Sequence, residues 1–199
     1  MSKLVIASGN AGKLREIARI LAPLDIEAVP QSEFNVSDCP EPHVTFVENC
    51  LAKARHASAH SGLPALADDS GICVEALGGA PGVFSARYAG EPKSDARNND
   101  KLIAEMANAD NRRAHYTCVM VYVRHPDDPE PVIAEGRWYG EIIDTPRGEN
   151  GFGYDPYFLV PEFEKTGAEL DEDTKNAVSH RGHALRELVD KLKQLKRLG

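Results

Sequence analysis

The chain has 199 residues, 42% hydrophobic and 27% charged, the balance of one globular domain over 1–199 with a substantial core rather than of a disordered or fibrous protein. Acidic residues outnumber basic ones 31 to 23, a formal charge of −8, which argues against nucleic acid or anionic membrane as partners, so any bound phosphate must meet a local positive site. The opening "MSKLVIASGN" has an apolar run too short for a secretion signal, and nothing approaches the ~20 apolar residues of a membrane span, which points to a cytoplasmic protein.

In chain order, "KLVIAS" (Lys3 to Ser8) reads as a short buried strand, followed by a helix with Leu14, Ile17, Ala18 and Leu21 on one stripe and stopped by Pro23. An acidic, Pro-containing loop from Pro30 to Pro42 leads to Phe46, Cys50, Ala54 and Ala57, spaced for a second helix ending near Gly62. "LPALADDSG" reads as a strand ending in acids. After the glycine-rich "GGAPGVFSARYAG", a third helix covers Ser94 to Met106, capped by Ser94, with Ile103 and Met106 inward.

From "HYTCVMVYVRH" the texture changes. That segment and "PVIAEGRWYGEII" are rich in Val, Ile, Tyr and Trp and flank the turn "PDDPEP", the pattern of a long hairpin, and "PYFLVP" adds a strand. The last helix, capped by Ser179, carries the stripe Leu185, Leu188, Val189, Leu192 and Leu195. An α/β first half and a hairpin-rich second half predict a mixed α/β sheet with a cleft between two lobes. The cysteines Cys39, Cys50, Cys73 and Cys118 form no CxxC pair and read as buried reduced thiols.

Four stretches carry candidate chemistry. In "SGNAGK" (Ser8 to Lys13), a helix start, two glycines and a lysine suit an anion, yet Asn10 serves equally well as a plain helix cap. It is not a Walker A loop, since the glycine spacing differs and Leu14 stands where Ser or Thr would meet magnesium. In "ADDSG", successive strand residues face opposite ways, so Asp68 and Asp69 share one site only if the strand has already ended. One of them suits a magnesium ligand or general base, and the alternative is a capped turn. "NGFGYDP" (Asn150 to Pro156) fits either a base-stacking pocket or a bulge packing Phe152 and Tyr154 into the core. "KNAVSHRG" gathers Lys175, His180 and Arg181 around a helix start, where they can meet an anion or a carbonyl oxygen. His56 and His60 lack a metal-site context and read as a surface pair, and the closing "KLKQLKR" as a solvated helix end.

Together, "SGNAGK", "TFVENCLAKA", "ADDSGICVEALGGAPGVFSARYAG", "GFGYDP" and "SHRGHAL" resemble, in order and approximate spacing, the inosine triphosphate pyrophosphatases, including the bacterial dITP/XTP pyrophosphatases. The resemblance covers almost the whole chain. It implies an elongated two-lobed mixed α/β fold, Maf-like, with a central active-site cleft, a homodimer, and Mg²⁺-dependent hydrolysis of 6-oxo purine nucleoside triphosphates (ITP, dITP, XTP) to monophosphate and pyrophosphate. By motif, Ser8, Gly9, Asn10, Ala11, Gly12 and Lys13 would hold the triphosphate with Lys53, Ser70 would touch substrate, and Asp69 would activate water and bind the metal with Glu41. Phe152, Gly153, Tyr154 and Asp155 would stack on and edge the base, with Lys175, His180 and Arg181 completing its pocket. Relatives usually carry E-T-G where this chain has "EPH", a departure that bears on the aim of Glu41. A nucleotide-binding module without chemistry, and a Maf-like enzyme acting on modified pyrimidine nucleotides, are the competing classes.

Overall fold

The computed structural model describes residues 2–22 and 26–198. Chain order is β1 (Ser2–Ala7), α1 (Ala11–Leu21), β2 (Ile26–Pro30), α2 (Phe46–Ser61), β3 (Ala65–Val74), α3 (Asp95–Met106), β4 (Arg113–Val123), β5 (Val132–Ile142), β6 (Phe158–Val160), β7 (Lys165–Thr166), α4 (Glu172–Val178) and α5 (His180–Leu198). The strands form one mixed sheet in the order β2-β1-β3-β4-β5-β6-β7. β1 runs parallel to β2 and β3, whereas β6 is antiparallel to β5 and β7. No helix among the described residues is long and apolar enough to cross a membrane.

The chain divides into two compact units. The first comprises Met1–Asp69, Cys118–Gly136 and His183–Gly199, the second Ser70–Thr117 and Arg137–Gly182. In the first unit, alternation along the strands supplies two cores. Leu4, Ile6, Leu66, Cys118 and Met120 pack with Ile17 and Leu21 of α1 and with Leu185 and Leu188 of α5. Their chain neighbours Val5, Ala7, Ala65, Ala67, Val119 and Val121 pack with Cys50, Ala54 and Ala57 of α2. The second unit has a single core in which Ile72, Val74, Tyr116, Trp138 and Phe158 meet Leu102 and Met106 of α3.

Most predicted elements are present, with four differences. The strand after Gly62 does not end at its acids but continues to Val74. β2 occupies a stretch up to Pro30 for which the sequence predicts no element, because a five-residue parallel strand offers too short a pattern to read, and a 3-10 turn over Gln31–Phe34 opens the predicted loop. The short β7 and α4 were likewise not anticipated. On α1, Ala18 is exposed while Ile17 and Leu21 are fully buried: at 3.6 residues per turn Ala18 lies at the rim of the stripe. The Pro23 stop, and the side chain of Leu195, lie outside the described residues. All four cysteines are free, but only Cys50 and Cys118 are buried; Cys39 and Cys73 are half-buried.

Helix α2, which carries Lys53, is fixed at both ends. Thr45 Oγ1 accepts the Glu48 N–H at 3.4 Å and donates to the Glu48 carboxylate at 2.5 Å. Gly62, at φ 69°, closes the other end by donating its N–H to Ser58 O at 2.9 Å. Thr45→Ala is expected to lower the unfolding free energy by about 1 kcal/mol, read from the urea midpoint at constant slope. An unchanged midpoint would contradict the cap.

Candidate active site

The turn between β1 and α1 is first of all a helix cap. Asn10 Oδ1 accepts the N–H groups of Gly12 and Lys13 at 2.9 and 3.1 Å, and Asn10 N donates to Ser8 Oγ at 3.2 Å. A side chain at Gly9 would meet nothing within 4 Å, so internal packing does not explain that glycine. The cap aims α1 so that Lys13 reaches back to β3.

There the continuation of β3 decides the roles of two adjacent acids. Strand residues alternate in direction, so Asp68 and Asp69 point to opposite faces, and each meets its own lysine. Asp68, whose side chain is fully buried, pairs through Oδ1 with Lys13 Nζ from α1 and accepts the Cys118 thiol on Oδ2 at 2.9 Å. Asp69 Oδ1 pairs with Lys53 Nζ of α2 at 2.8 Å, and the same ammonium lies 3.2 Å from Glu41 Oε1. Asp69 Oδ2 is buried and has no hydrogen-bond partner among the described residues. The capped-turn reading of "ADDSG" is thereby overturned.

Glu41 reaches this cluster despite the unusual "EPH". The reason lies one turn into α2, where Asn49 accepts the His43 N–H and donates to His43 O, both at 3.0 Å, so that the loop after Glu41 is clamped by its backbone. On the Asp69 face one ammonium, Lys53, thus meets two carboxylates, while Lys13 and Asp68 pair on the other. Burial alone would push Lys53 down, but Asp69 and Glu41 outweigh it and hold its ammonium well above its ordinary value. Burial raises the Asp69 carboxyl, with a smaller contribution from Glu41, and Lys53 and Lys13 only partly offset it.

The second group of predicted residues assembles within the other unit. Arg181, buried at the start of α5, donates from Nη2 to Ser70 Oγ at 3.0 Å. Asp155 accepts Lys175 Nζ at 2.6 Å and the Phe152 N–H at 2.9 Å. A Cβ at Gly151, which lies at φ 78°, would stand 2.2 Å from Asp155 Oδ2, so glycine is required there for the carboxylate to reach its partners. The ring of Phe152 is half-exposed, with Lys175 Nζ 5.1 Å and Arg181 Cζ 5.7 Å from its centroid. Tyr154 instead belongs to the core and donates from its hydroxyl to Ser85 O at 2.7 Å, so the two aromatics of "GFGYDP" divide between the two readings of that stretch. His180 stacks on Tyr116, with centroids 4.7 Å apart and planes at 11°, and lies 6.3 Å from Trp138.

The structure thus gathers Lys13, Glu41, Lys53 and Asp69 in one unit and Ser70, Phe152, Asp155, Lys175, His180 and Arg181 in the other. The supporting residues Asn49, Tyr116, Trp138 and Cys118 were not singled out from sequence. Only Asn49, inside "TFVENC", stood within a recognised stretch. His56 and His60 form the expected surface pair, with ring centroids 4.2 Å apart.

The Ham1 family profile matches residues 4–191. The chain belongs to the Ham1 family. It is 62% identical over 196 residues to the dITP/XTP pyrophosphatase of Ralstonia nicotianae, covering 97% of this chain and 98% of that one. Its identity to the dITP/XTP pyrophosphatase of Nitrosomonas europaea is 63% over 194 residues, covering 98% and 96% respectively. Among solved structures, a HAM1 protein from Coxiella burnetii superposes with a TM-score of 0.91 at 49% identity, covering 98% of this chain and 100% of that one. The mixed α/β fold described above is accordingly that of a Ham1 protein.

The raised Asp69 carboxyl has a stability consequence. The folded chain holds this proton more tightly than the unfolded chain, so stability falls as pH rises from the ordinary carboxylate range through the raised folded value. Without divalent cations, the stability of the unsubstituted protein relative to Asp69→Asn is expected to decline as pH rises above about 4 and to level off once the raised folded value is passed, measured by urea unfolding at each pH. A difference that is flat or grows with pH would contradict it.

Proposed function

We propose that this protein hydrolyses 6-oxo purine nucleoside triphosphates, dITP, ITP and XTP, to the monophosphate and pyrophosphate, and so removes deaminated purines from the nucleotide pool. The activity named for its Ralstonia and Nitrosomonas relatives supports this substrate class. The observation that carries the reading is the Asp69 carboxylate, held on one oxygen by Lys53 and buried with no hydrogen-bond partner among the described residues on the other.

The cluster's chemistry suits a hard divalent cation. A buried carboxylate oxygen with no hydrogen-bond partner among the described residues, beside a second carboxylate that shares one lysine with it, is the donor set that magnesium accepts, since it commonly takes one or two protein carboxylates and completes its shell with water and phosphate oxygens. No group of three ligating side chains stands together among the described residues. Asp69 and Glu41 would hold Mg²⁺, which when bound supplies positive charge to the reacting phosphate oxygens.

In the reaction, a water oxygen bonds to the α-phosphorus as the bond from that phosphorus to the bridging oxygen of pyrophosphate breaks. Asp69 accepts the water's proton, and pyrophosphate leaves with the electron pair. Lys53 and Lys13 meet charge that grows on the phosphate oxygens, which favours the transition state over the ground state. Ser8, Gly9, Asn10, Ala11 and Gly12 line the phosphates, and the open space beside Gly9 suits their close approach. Ser70 contacts substrate. Phe152 and Gly153 provide the stacking surface for the purine, with Tyr154 and Asp155 holding that surface in place, and Lys175, His180 and Arg181 supply polarity at the base. Donors aimed at a 6-oxo acceptor meet a 6-amino donor in ATP, a buried mismatch of about 1–3 kcal/mol. The working form is a cytoplasmic homodimer.

The test is pyrophosphate release with magnesium across dITP, ITP, XTP, ATP, dUTP and dTTP. The three 6-oxo purines are expected to lead, and Asp69→Asn to lose at least about 100-fold in kcat. Absence of release from dITP would favour a binding module, and preference for dUTP or dTTP a pyrimidine-directed enzyme.

A further inference from the structure

The loop that carries Phe152 is gripped by a helix that none of the motifs includes. Gly153, at φ 64°, donates its N–H to Asp95 Oδ2 at 2.9 Å and accepts Asn99 Nδ2 on its carbonyl at 2.9 Å. Asp95 and Asn99 stand four apart on α3, hence on one face, and together satisfy both backbone groups of a single residue. On one side of Gly153, Tyr154 is anchored in the core through Ser85 O; on the other, the Phe152 N–H is held by Asp155. Phe152 is therefore the one side chain between Gly151 and Asp155 that reaches out of the core, and its direction is set by the peptide that α3 clamps.

The helix making this grip is itself rigid. Leu102 and Met106 are fully buried, and neighbouring Asn98 donates to Ser85 O and Ala86 O and accepts the Ala89 N–H. Asn99 stands out energetically. It is buried, and its Oδ1 has no hydrogen-bond partner among the described residues, so an apolar side chain of similar size would suit the fold at least as well. What the amide provides is its bond to Gly153.

We propose that Asp95 and Asn99 are positioning residues for base recognition, holding the 152–154 loop so that Phe152 presents its ring to the purine; this rests on the assignment of that loop to the base. Because they act on binding of the base and not on the reacting phosphate, their loss raises KM and leaves kcat nearly unchanged.

The experiment compares unsubstituted protein with Asn99→Leu, Asp95→Ala and Asp95→Asn, reading dITP kinetics, urea midpoints, and amide hydrogen exchange over 150–157. Asn99→Leu is expected to keep or raise the midpoint, speed exchange in the loop, and raise KM about tenfold at near-constant kcat. Asp95→Ala does the same to exchange and KM, and Asp95→Asn, which keeps an acceptor for the Gly153 N–H, restores both. Unchanged exchange overturns the clamp. Faster exchange with unchanged KM overturns its role in base recognition, as does an equal fall in kcat. Should the unsubstituted protein release no pyrophosphate from dITP, the pyrophosphatase reading fails separately, and the exchange data still decide whether α3 holds the loop.

Discussion

Two carboxylates side by side on one strand repel if they face the same way, and the pleat of β3 removes that conflict by sending them to opposite faces. Everything in the first unit's candidate site depends on this. Asp68 faces α1 and α5, where Lys13 neutralises it and the Cys118 thiol occupies its second oxygen; it is a filled, structural carboxylate. Asp69 faces α2, where Lys53 takes one oxygen and the other has no hydrogen-bond partner among the described residues. The same pair of letters therefore yields one anion whose two oxygens are occupied and another with one oxygen unoccupied among the described residues.

The second unit solves a different problem, holding a loop with two glycines at positive φ in one conformation. Rigidity comes from polar bonds to its backbone, supplied by Asp155 within the loop and by Asp95 and Asn99 from α3. Aromatic packing of Tyr116, Trp138, Phe158 and His180 stands behind it. A stacking surface needs such support, because a ring free to turn gives back in entropy what it gains in contact.

How much of this is legible in the sequence follows from the range of each signal. Helix α2 is readable from its stripe at 3.6-residue spacing, and α5 from a stripe and the capping residue Ser179, all of them local facts. The strand β3 was misjudged at its end because acids usually mark turns, while here lysines from two helices, remote in sequence, make them tolerable inside a strand. The candidate site is recognisable as a set of five motifs, and the resemblance singles out Asp69; composition and spacing alone do not divide Asp68 from Asp69, since that depends on where β3 stops. Asn49 clamping the loop after Glu41, and Asn99 clamping Gly153, were invisible for the same reason: each is an amide on a helix whose partner is a backbone group elsewhere.

The separation of roles between the two aspartates can be tested on the chemical step itself, by mixing dITP and magnesium with an excess of Asp68→Asn or Asp69→Asn protein, raised until the rate saturates, and following a single turnover. Asp69→Asn is expected to nearly abolish the step, while Asp68→Asn, which removes only the charge that holds Lys13, slows it by a much smaller factor and needs more protein to saturate. Equal loss of the chemical step in both proteins would contradict it.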